Sequence, residues 1–376
     1  MSDENASNST AATRIVAIDA LRGFDMFFLT GGVSLVAALL IYLFPESKEW
    51  VNYHSSHIAW GKGFSAWDLV MPLFIFIVGA AMPFSIGRRI HTEPKWKIYR
   101  KVITRFFVLF VLGMMVQGNL LSFKIKNIDF FCNTLQAIGG GYLISSILMM
   151  HLKIRWQAVA MFGLLIAYWL IMMYVPYPNK SGEWVHGMLE PYNNVAYFVD
   201  LYLQGDFQDG TEYTWIVSQL AFAGLTMLGV FAGYVLLCSW SHWKKLGCLF
   251  LVGVLLLILG RAWSEFFPII KQLFTSSMVL WAAGWCYLLL AAFYLLTDIL
   301  GFKRLIFPLV VIGSNALFVY IWVMLVNPLY TFGPKLFLGF SDLFGDAKQV
   351  VYYLCNYLFI WLILYFLYKK KTFIKI

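Results

Sequence analysis

Two short stretches carry the residue types that proton transfer and group transfer need. The first runs His54-Ser55-Ser56-His57-Ile58-Ala59-Trp60-Gly61-Lys62-Gly63-Phe64-Ser65-Ala66-Trp67-Asp68 and holds two of the chain's six histidines. An unperturbed imidazole titrates near pH 6.5, so a histidine here takes and returns a proton close to neutrality, or carries a group as a nucleophile. His57 is the candidate, with Asp68 as the carboxylate that orients it. Asp68 also reads as a cap: Ser65-Ala66-Trp67-Asp68 precedes an apolar run in a capping-box pattern, which sets the carboxylate at the positive end of a helix. The alternative is a satisfied interfacial histidine with no chemistry, and these residues alone leave both open. The second stretch, Asp19-Ala20-Leu21-Arg22-Gly23-Phe24-Asp25, sets two carboxylates around one guanidinium. Asp19 and Arg22 share a helix face and make a local ion pair; the functional reading is that Arg22, held by Asp19, faces an anionic ligand from the cytoplasm.

Other polar residues in apolar surroundings are Asn133, Thr134, Gln136, Ser314, Asn315 and Asn356. Interhelical hydrogen bonding, at under about 2 kcal/mol each, accounts for them without chemistry. A Walker loop, a G-x-S-x-G elbow, an H-E-x-x-H motif and metal-ligand spacing are all missing, which disfavours an ATP-driven pump or an intramembrane zinc protease and gives no metal site. Cys132, Cys238, Cys248, Cys286 and Cys355 are odd in number and lie in or beside apolar runs, so they read as small hydrophobes.

The elements that must position these groups are membrane helices. Of 376 residues, 61% are hydrophobic and 12% charged, against about 45–50% and 25% for a soluble domain. The aromatic share of 19% suits rings at membrane interfaces. A span needs about 20 mostly apolar residues. Ten segments qualify, near 20–43, 66–87, 103–118, 130–151, 156–176, 215–239, 246–263, 277–297, 304–326 and 349–368, so the fold class is an all-α bundle of about ten transmembrane helices. Residues 1–14 form a polar tail with no signal peptide, and 15–376 a single transmembrane domain.

The net charge of +9 is placed in short loops between apolar runs, which argues for a membrane and against nucleic acid. With the N-terminus inside, 18 Lys and Arg fall on the inner side and nine on the outer, the positive-inside pattern, so both termini are expected in the cytoplasm. The extracytoplasmic loops are then 44–65, 176–214 and 327–348. The middle loop, with Glu183, Trp184, Glu190, Tyr192, Asp200, Asp206, Asp209 and Glu212, suits either a polar ring-containing ligand such as a sugar or plain solvation.

Several blocks resemble a known family. Asp19-Ala-Leu-Arg-Gly looks like its D-x-x-R-G opening. His57-Ile-Ala-Trp60 and Asp68-Leu-Val-Met-Pro72-Leu-Phe-Ile-Phe-Ile-Val-Gly79 look like its H-x-x-W and D-L-x-x-P-x-F-x-F-x-x-G signature. Asn133-Thr-Leu-Gln136-Ala-Ile-Gly139, Thr275-Ser276-Ser277 and Ile312-Gly-Ser-Asn315 are similar to later blocks. The family is the transmembrane acyltransferases related to heparan-α-glucosaminide N-acetyltransferase, here in a bacterial-type form. The resemblance implies acetyl transfer from cytoplasmic acetyl-CoA, a co-substrate with no metal, to the amino group of a glucosamine-type sugar on the far side. It makes His57 the active histidine, on the outer face that the charge pattern also gives it. On this reading Arg22, Arg100, Lys101 and Arg105 meet the CoA phosphates, Gln136 and Asn315 line the donor cleft, and Trp60, Asp209 and Glu212 meet the acceptor. Membrane lipids, a homodimer and a bacterial inner membrane are the further expectations. The family's helper asparagine has no counterpart in Thr30-Gly31-Gly32-Val33-Ser34. Two other functions fit the same composition: a transporter or flippase of a glycan or lipid-linked sugar, and an O-acyltransferase of a cell-envelope polysaccharide.

Overall fold

The computed structural model describes residues 15–373, so the expected tail at 1–14 lies outside the described residues. The chain begins with a bent pair, α1 (Val16–Leu29) and α2 (Gly32–Leu43), that turns through 69°. Gly31 makes the turn at φ +85°, a left-handed conformation that costs glycine little and other residues more. After the short α3 (Lys48–His54) come α4 (Val70–Thr92), α5 (Lys95–Val116), α6 (Thr134–His151) and α7 (Ile154–Tyr174). A two-stranded hairpin, β1 (Tyr177–Pro178) with β2 (Trp184–Val185), and α8 (Val195–Gln204) build the long loop that follows. Next are α9 (Gln219–Leu237), α10 (His242–Trp263) and α11 (Ser276–Tyr294), then a second bent pair, α12 (Lys303–Gly313) and α13 (Ala316–Val326), at 57°. The short α14 (Pro328–Thr331) and α15 (Gly333–Ser341) lead into α16 (Lys348–Lys369).

The chain is a mostly helical, multi-pass membrane protein. Six helices are long and apolar enough to cross a membrane, and counting each bent pair as one span gives eight among the described residues. The ten expected spans included 103–118 and 130–151, where α5 and α6 stand outside the eight. The first turns of α5 carry Lys95, Lys97, Arg100, Lys101 and Arg105, and α6 puts Gln136, three glycines, Ser145 and Ser146 into 18 residues. The basic residues of α5 lie on its largely exposed first turns, whereas the polar and small residues of α6 face protein.

Lipid is as apolar as leucine, so membrane helices associate through close packing and not through water exclusion. The contact between α4 and α9 follows this rule. A Cβ at Gly79 would fall 2.0 Å from the Thr226 carbonyl oxygen, and one at Gly229 would fall 2.2 Å from that of Phe76. Only glycine admits this approach, which fixes the helix that begins just after Asp68. The core runs along α4, α9 and α11, while α10 turns Leu251, Leu255 and Ile258 outward. At the start of α6, Asn133 and Gln136 form a complete capping box, of the kind that holds a helix end by about 1 kcal/mol.

Candidate active site

The site is built around one carboxylate. Ser65 and Asp68 cap each other: Ser65 N–H donates to Asp68 Oδ2 at 3.1 Å, and Asp68 N–H donates to Ser65 Oγ at 3.2 Å. Ile58 N–H also reaches Oδ2, at 3.4 Å. Two backbone N–H groups and the Ser65 hydroxyl, at 3.1 Å, therefore occupy Oδ2 and leave Oδ1 for His57 and Lys271. His57 Nδ1 lies 2.9 Å from Oδ1, and Lys271 Nζ lies 3.2 Å from the same oxygen and 2.8 Å from the imidazole nitrogen.

These contacts constrain the tautomer. Trp67 Nε1–H points at His57 Nε2 at 3.2 Å, and an indole N–H can only donate. Nε2 therefore accepts, Nδ1 carries the ring proton, and that proton goes to Asp68. Lys271 is a donor too, so its hydrogen bond belongs to the carboxylate and its nearness to Nδ1 follows from sharing that partner. The His57 side chain is 54% exposed, while Asp68 and Lys271 are 2% and 8% exposed, so the imidazole is the accessible member of the trio. An oriented, accessible imidazole whose acceptor nitrogen is held only by the Trp67 indole N–H can, once that bond is given up, act as a general base or as a nucleophile.

Lys271 arrives from the loop between α10 and α11, which is tied down on several sides. Thr275 Oγ1 accepts from Ile270 N–H and donates to the Pro268 carbonyl, Thr214 N–H donates to the Gln272 carbonyl, and Tyr168 OH donates to that of Leu273. Burial pulls the Lys271 ammonium below the usual lysine range, and the Asp68 charge opposes that pull. Its ammonium also lies 5.8 Å from the centre of the Tyr213 ring. Burial, followed by the negative charges of Asp68 and Glu212, pushes the Tyr213 hydroxyl up to about 12.

His57, Trp67 and Lys271 line a cavity of about 410 Å³ with Asp209, Tyr213 and Trp215, while Met26, Leu29, Met71, Phe74 and Met324 make its apolar side. Tyr213 and Trp215 stack at 6.1 Å and 25°. Asp209 Oδ2 accepts from Trp215 Nε1–H at 3.1 Å, and the buried Asp200 accepts the backbone N–H groups of Trp215 and Ile216 at 2.6 and 2.9 Å. Burial raises the Asp200 carboxyl to about 7 despite those two bonds.

A second cavity, of about 280 Å³, opens beside the other end of α4. Arg22, Arg105, Ser85 and Ser314 give it polar edges, and Phe74 belongs to its lining as well. Arg22 pairs with Asp19 at 3.3 Å. The Arg105 guanidinium sits over the Tyr142 ring at 4.4 Å, and its Nε is buried with no hydrogen-bond partner. Two guanidinium groups at one cavity suit a phosphate or carboxylate.

Of the residues singled out in the sequence, His57, Asp209 and Thr134 line the first cavity, with Asp68 buried behind His57, and Arg22, Arg105 and Ser314 line the second. Other expected site residues go elsewhere. Trp60 spends its indole N–H on the Leu189 carbonyl, and Glu212 accepts from Gln272; neither lines the cavity expected to take an acceptor. Lys101 pairs with Glu93, and Arg100 stacks on Trp96, both on α5's exposed first turns and away from the second cavity. Gln136 closes the cap of α6 and Asn315 reaches the Thr372 carbonyl, and neither is among the residues that line the second cavity. Asp25 does not join Arg22: it is fully buried, with both carboxylate oxygens unbonded in the structure. Lys271, Tyr213, Trp215 and Trp67 were not singled out as site residues. For Lys271 the signal was an isolated ammonium in Phe267-Pro-Ile-Ile-Lys271-Gln-Leu-Phe274, since a lone charge in an apolar run calls for a buried partner.

No family model matches the chain. It is similar to heparan-alpha-glucosaminide N-acetyltransferase of Mus musculus, with 22% identity over 428 residues covering 98% of this chain and 61% of that protein. The chain thus spans about three fifths of the length of the curated relative it matches. A likeness at this distance supports a related acyltransferase family and acetyl transfer in general.

Proposed function

We propose that the protein is a membrane acetyltransferase that takes an acetyl group from acetyl-CoA and delivers it, through His57, to the amino group of a glucosamine-type sugar on the opposite side of the membrane. The observation that carries this is the pairing of an oriented, accessible imidazole at one end of α4 with a cavity holding Arg22 and Arg105 at the other. The cluster Arg88, Arg89, Lys95 and Lys97 lies at the turn from α4 to α5, on the arginine side, so the positive-inside rule assigns that side to the cytoplasm and His57 to the exterior. Reading α5 and α6 as spans, because they pack on each other and α6 packs on α9, restores the ten-helix arrangement.

The donor's phosphates bind at Arg22 and Arg105, whose unbonded Nε has a donor to give. His57 Nε2, released by Trp67, works in one of two ways. As a base it takes the acceptor ammonium's proton so that the amine attacks the thioester carbonyl, and the carbon–sulfur bond breaks as the carbon–nitrogen bond forms. As a nucleophile it takes the acetyl group first and then yields it to the amine. In the direct route the thiolate leaves as the thiol with the proton the attacking amine gives up; in the acyl-imidazole route the thiolate leaves first and takes its proton from solvent, and the amine later loses its own proton to solvent as the imidazole departs. Asp68 holds the imidazole's Nδ1 proton and stabilises positive charge on the ring. Lys271 keeps Asp68 ionised inside the protein. The stacked Tyr213 and Trp215 beside Asp209 offer the acceptor sugar an aromatic face and a carboxylate.

The second reading is a carrier of a glycan or lipid-linked sugar. It is favoured by the two interrupted helix pairs, one near each end of the chain, since broken helices mark binding sites in many transporters. Purified protein incubated with acetyl-CoA and a panel of amino sugars, read by mass spectrometry, tests the two. Acetylated sugar matched by free CoA thiol is the expected result, with His57→Ala lowering it on the order of 100-fold or more. Undiminished transfer in His57→Ala removes the assignment, and no binding of CoA favours the carrier.

A further inference from the structure

The two cavities share one lining residue, Phe74. On α4, Ser85, Met82 and Val78 face the arginine cavity, while Met71, and Trp67 in the 3-10 turn that leads into α4, face the His57 cavity. With Phe74 between them, these residues are spaced by three or four, so they form one stripe on one helix face. The same order recurs on two other helices. On α1, Arg22 faces the arginine cavity and Met26 and Leu29 the His57 cavity; on α13, Leu317 faces the first and Tyr320 and Met324 the second. Three helices therefore present continuous faces to one axis, which passes from cavity to cavity at the level of Phe74. At 1.5 Å per residue the stripe from Ser85 to Trp67 is about 27 Å long, close to a hydrocarbon core of about 30 Å.

The obstruction on this axis is an aromatic pair. The rings of Phe74 and Tyr320 meet edge to face at 6.3 Å, and Tyr320 is anchored, buried, with its hydroxyl donating to Asn133 Oδ1 at 3.1 Å. Phe74 has no polar tether and only partial burial. Rotation of one phenyl ring is a small motion compared with moving a helix.

We infer that the two cavities are the two ends of a single passage and that Phe74 is the side chain that closes it, turning from Tyr320 to admit the acyl-bearing arm of a thioester donor. The occupant rests on the acetyltransferase reading; the passage does not. Its closed state would also keep small ions from crossing when no donor is bound. This makes Phe74 a positioning residue for the donor arm, with no part in the chemical step.

The test replaces the five native cysteines with alanine and introduces Ser85→Cys on the arginine side. In sealed vesicles of known orientation, a charged, membrane-impermeant thiol reagent is added on the His57 side. Phe74→Ala should raise the labelling rate of Cys at position 85 at least tenfold over the Phe74 background, and Phe74→Trp should not. Met71→Cys should label from the His57 side in every background. Should Phe74→Ala fold poorly, Phe74→Leu decides, with a smaller rise expected. Equal labelling in all Phe74 backgrounds overturns the passage. Because this readout needs neither donor nor transfer, a silent His57→Ala would remove the acetyltransferase reading and leave it standing. In transfer assays Phe74→Trp should lower turnover about tenfold while CoA still shifts the melting temperature as in the parent.

Discussion

The two ends of α4 solve opposite problems. At the His57 end, every polar atom of the central carboxylate already has a partner: Oδ2 is held by backbone N–H groups and Oδ1 by His57 and Lys271. At the arginine end, Arg105 keeps a buried Nε without one. A saturated network fixes geometry before a substrate comes, which suits chemistry; a buried donor left over is costly until something charged arrives, which suits binding. The difference teaches where to look for rate effects and where for affinity effects.

The sharpest way to break that contrast is to unbalance the saturated end. Lys271→Met should leave Asp68 buried without its cation, a change that typically costs about 3–5 kcal/mol, and should lower turnover by roughly 10–100-fold through a misoriented His57. Thermal unfolding in detergent and steady-state kinetics check both. Lys271→Arg should recover part of the rate, whereas simple loss of packing would not be rescued by charge. At the other end, Arg105→Gln should raise the donor KM about tenfold with kcat little changed, the effect of losing one charge-assisted hydrogen bond of about 1.5 kcal/mol. A fall in kcat with KM unchanged would place Arg105 with the chemistry and collapse the distinction.

A pH experiment sharpens it further. Asp200, whose carboxyl is raised to about 7 by burial, holds the aromatic wall of the His57 cavity through Trp215 and Ile216. The folded state keeps a proton that the unfolded chain has lost above about pH 4. This contribution is therefore fully present below the unfolded value and is lost as pH rises through 7. Stability should fall by up to about 1.4 kcal/mol per pH unit across that window from this group, and Asp200→Asn should flatten the slope. The smallest effect is expected at the exposed start of α5, where Arg100→Gln and Lys101→Gln should each change the donor KM less than about twofold, as solvent-exposed charges do.

What the sequence made legible follows from how local each contact is. His57 and Asp68 are 11 residues apart, and Ser65-x-x-Asp68 is a short-range capping pattern, so both were readable. Lys271 lies 214 residues from His57, and no period or spacing connects them; only its isolation in an apolar run hinted at a buried partner. Trp60 is three residues from His57, but Gly61 and Gly63, both at positive φ, turn the loop, and its indole goes to Leu189. Asn315 sits in the break between α12 and α13, where the bend redirects it to Thr372. The apolar runs gave the long helices but not the short α3, α8, α14 and α15, which lie in stretches read as loops, and the two bends escaped because hydropathy records where a span lies and not whether it is straight. The eight apolar spans and the expected ten differ at α5 and α6, where apolar runs are mixed with basic and small residues.

On the proposed function, donor and acceptor meet one imidazole from opposite sides of the bundle. Vesicles carrying the protein in one known orientation, loaded with amino sugar inside or outside and supplied with acetyl-CoA on either side, test it directly. Product should form when acetyl-CoA is on the arginine side and sugar on the His57 side, and should vanish when the two are exchanged. Product formed only when both substrates share one side would contradict the account.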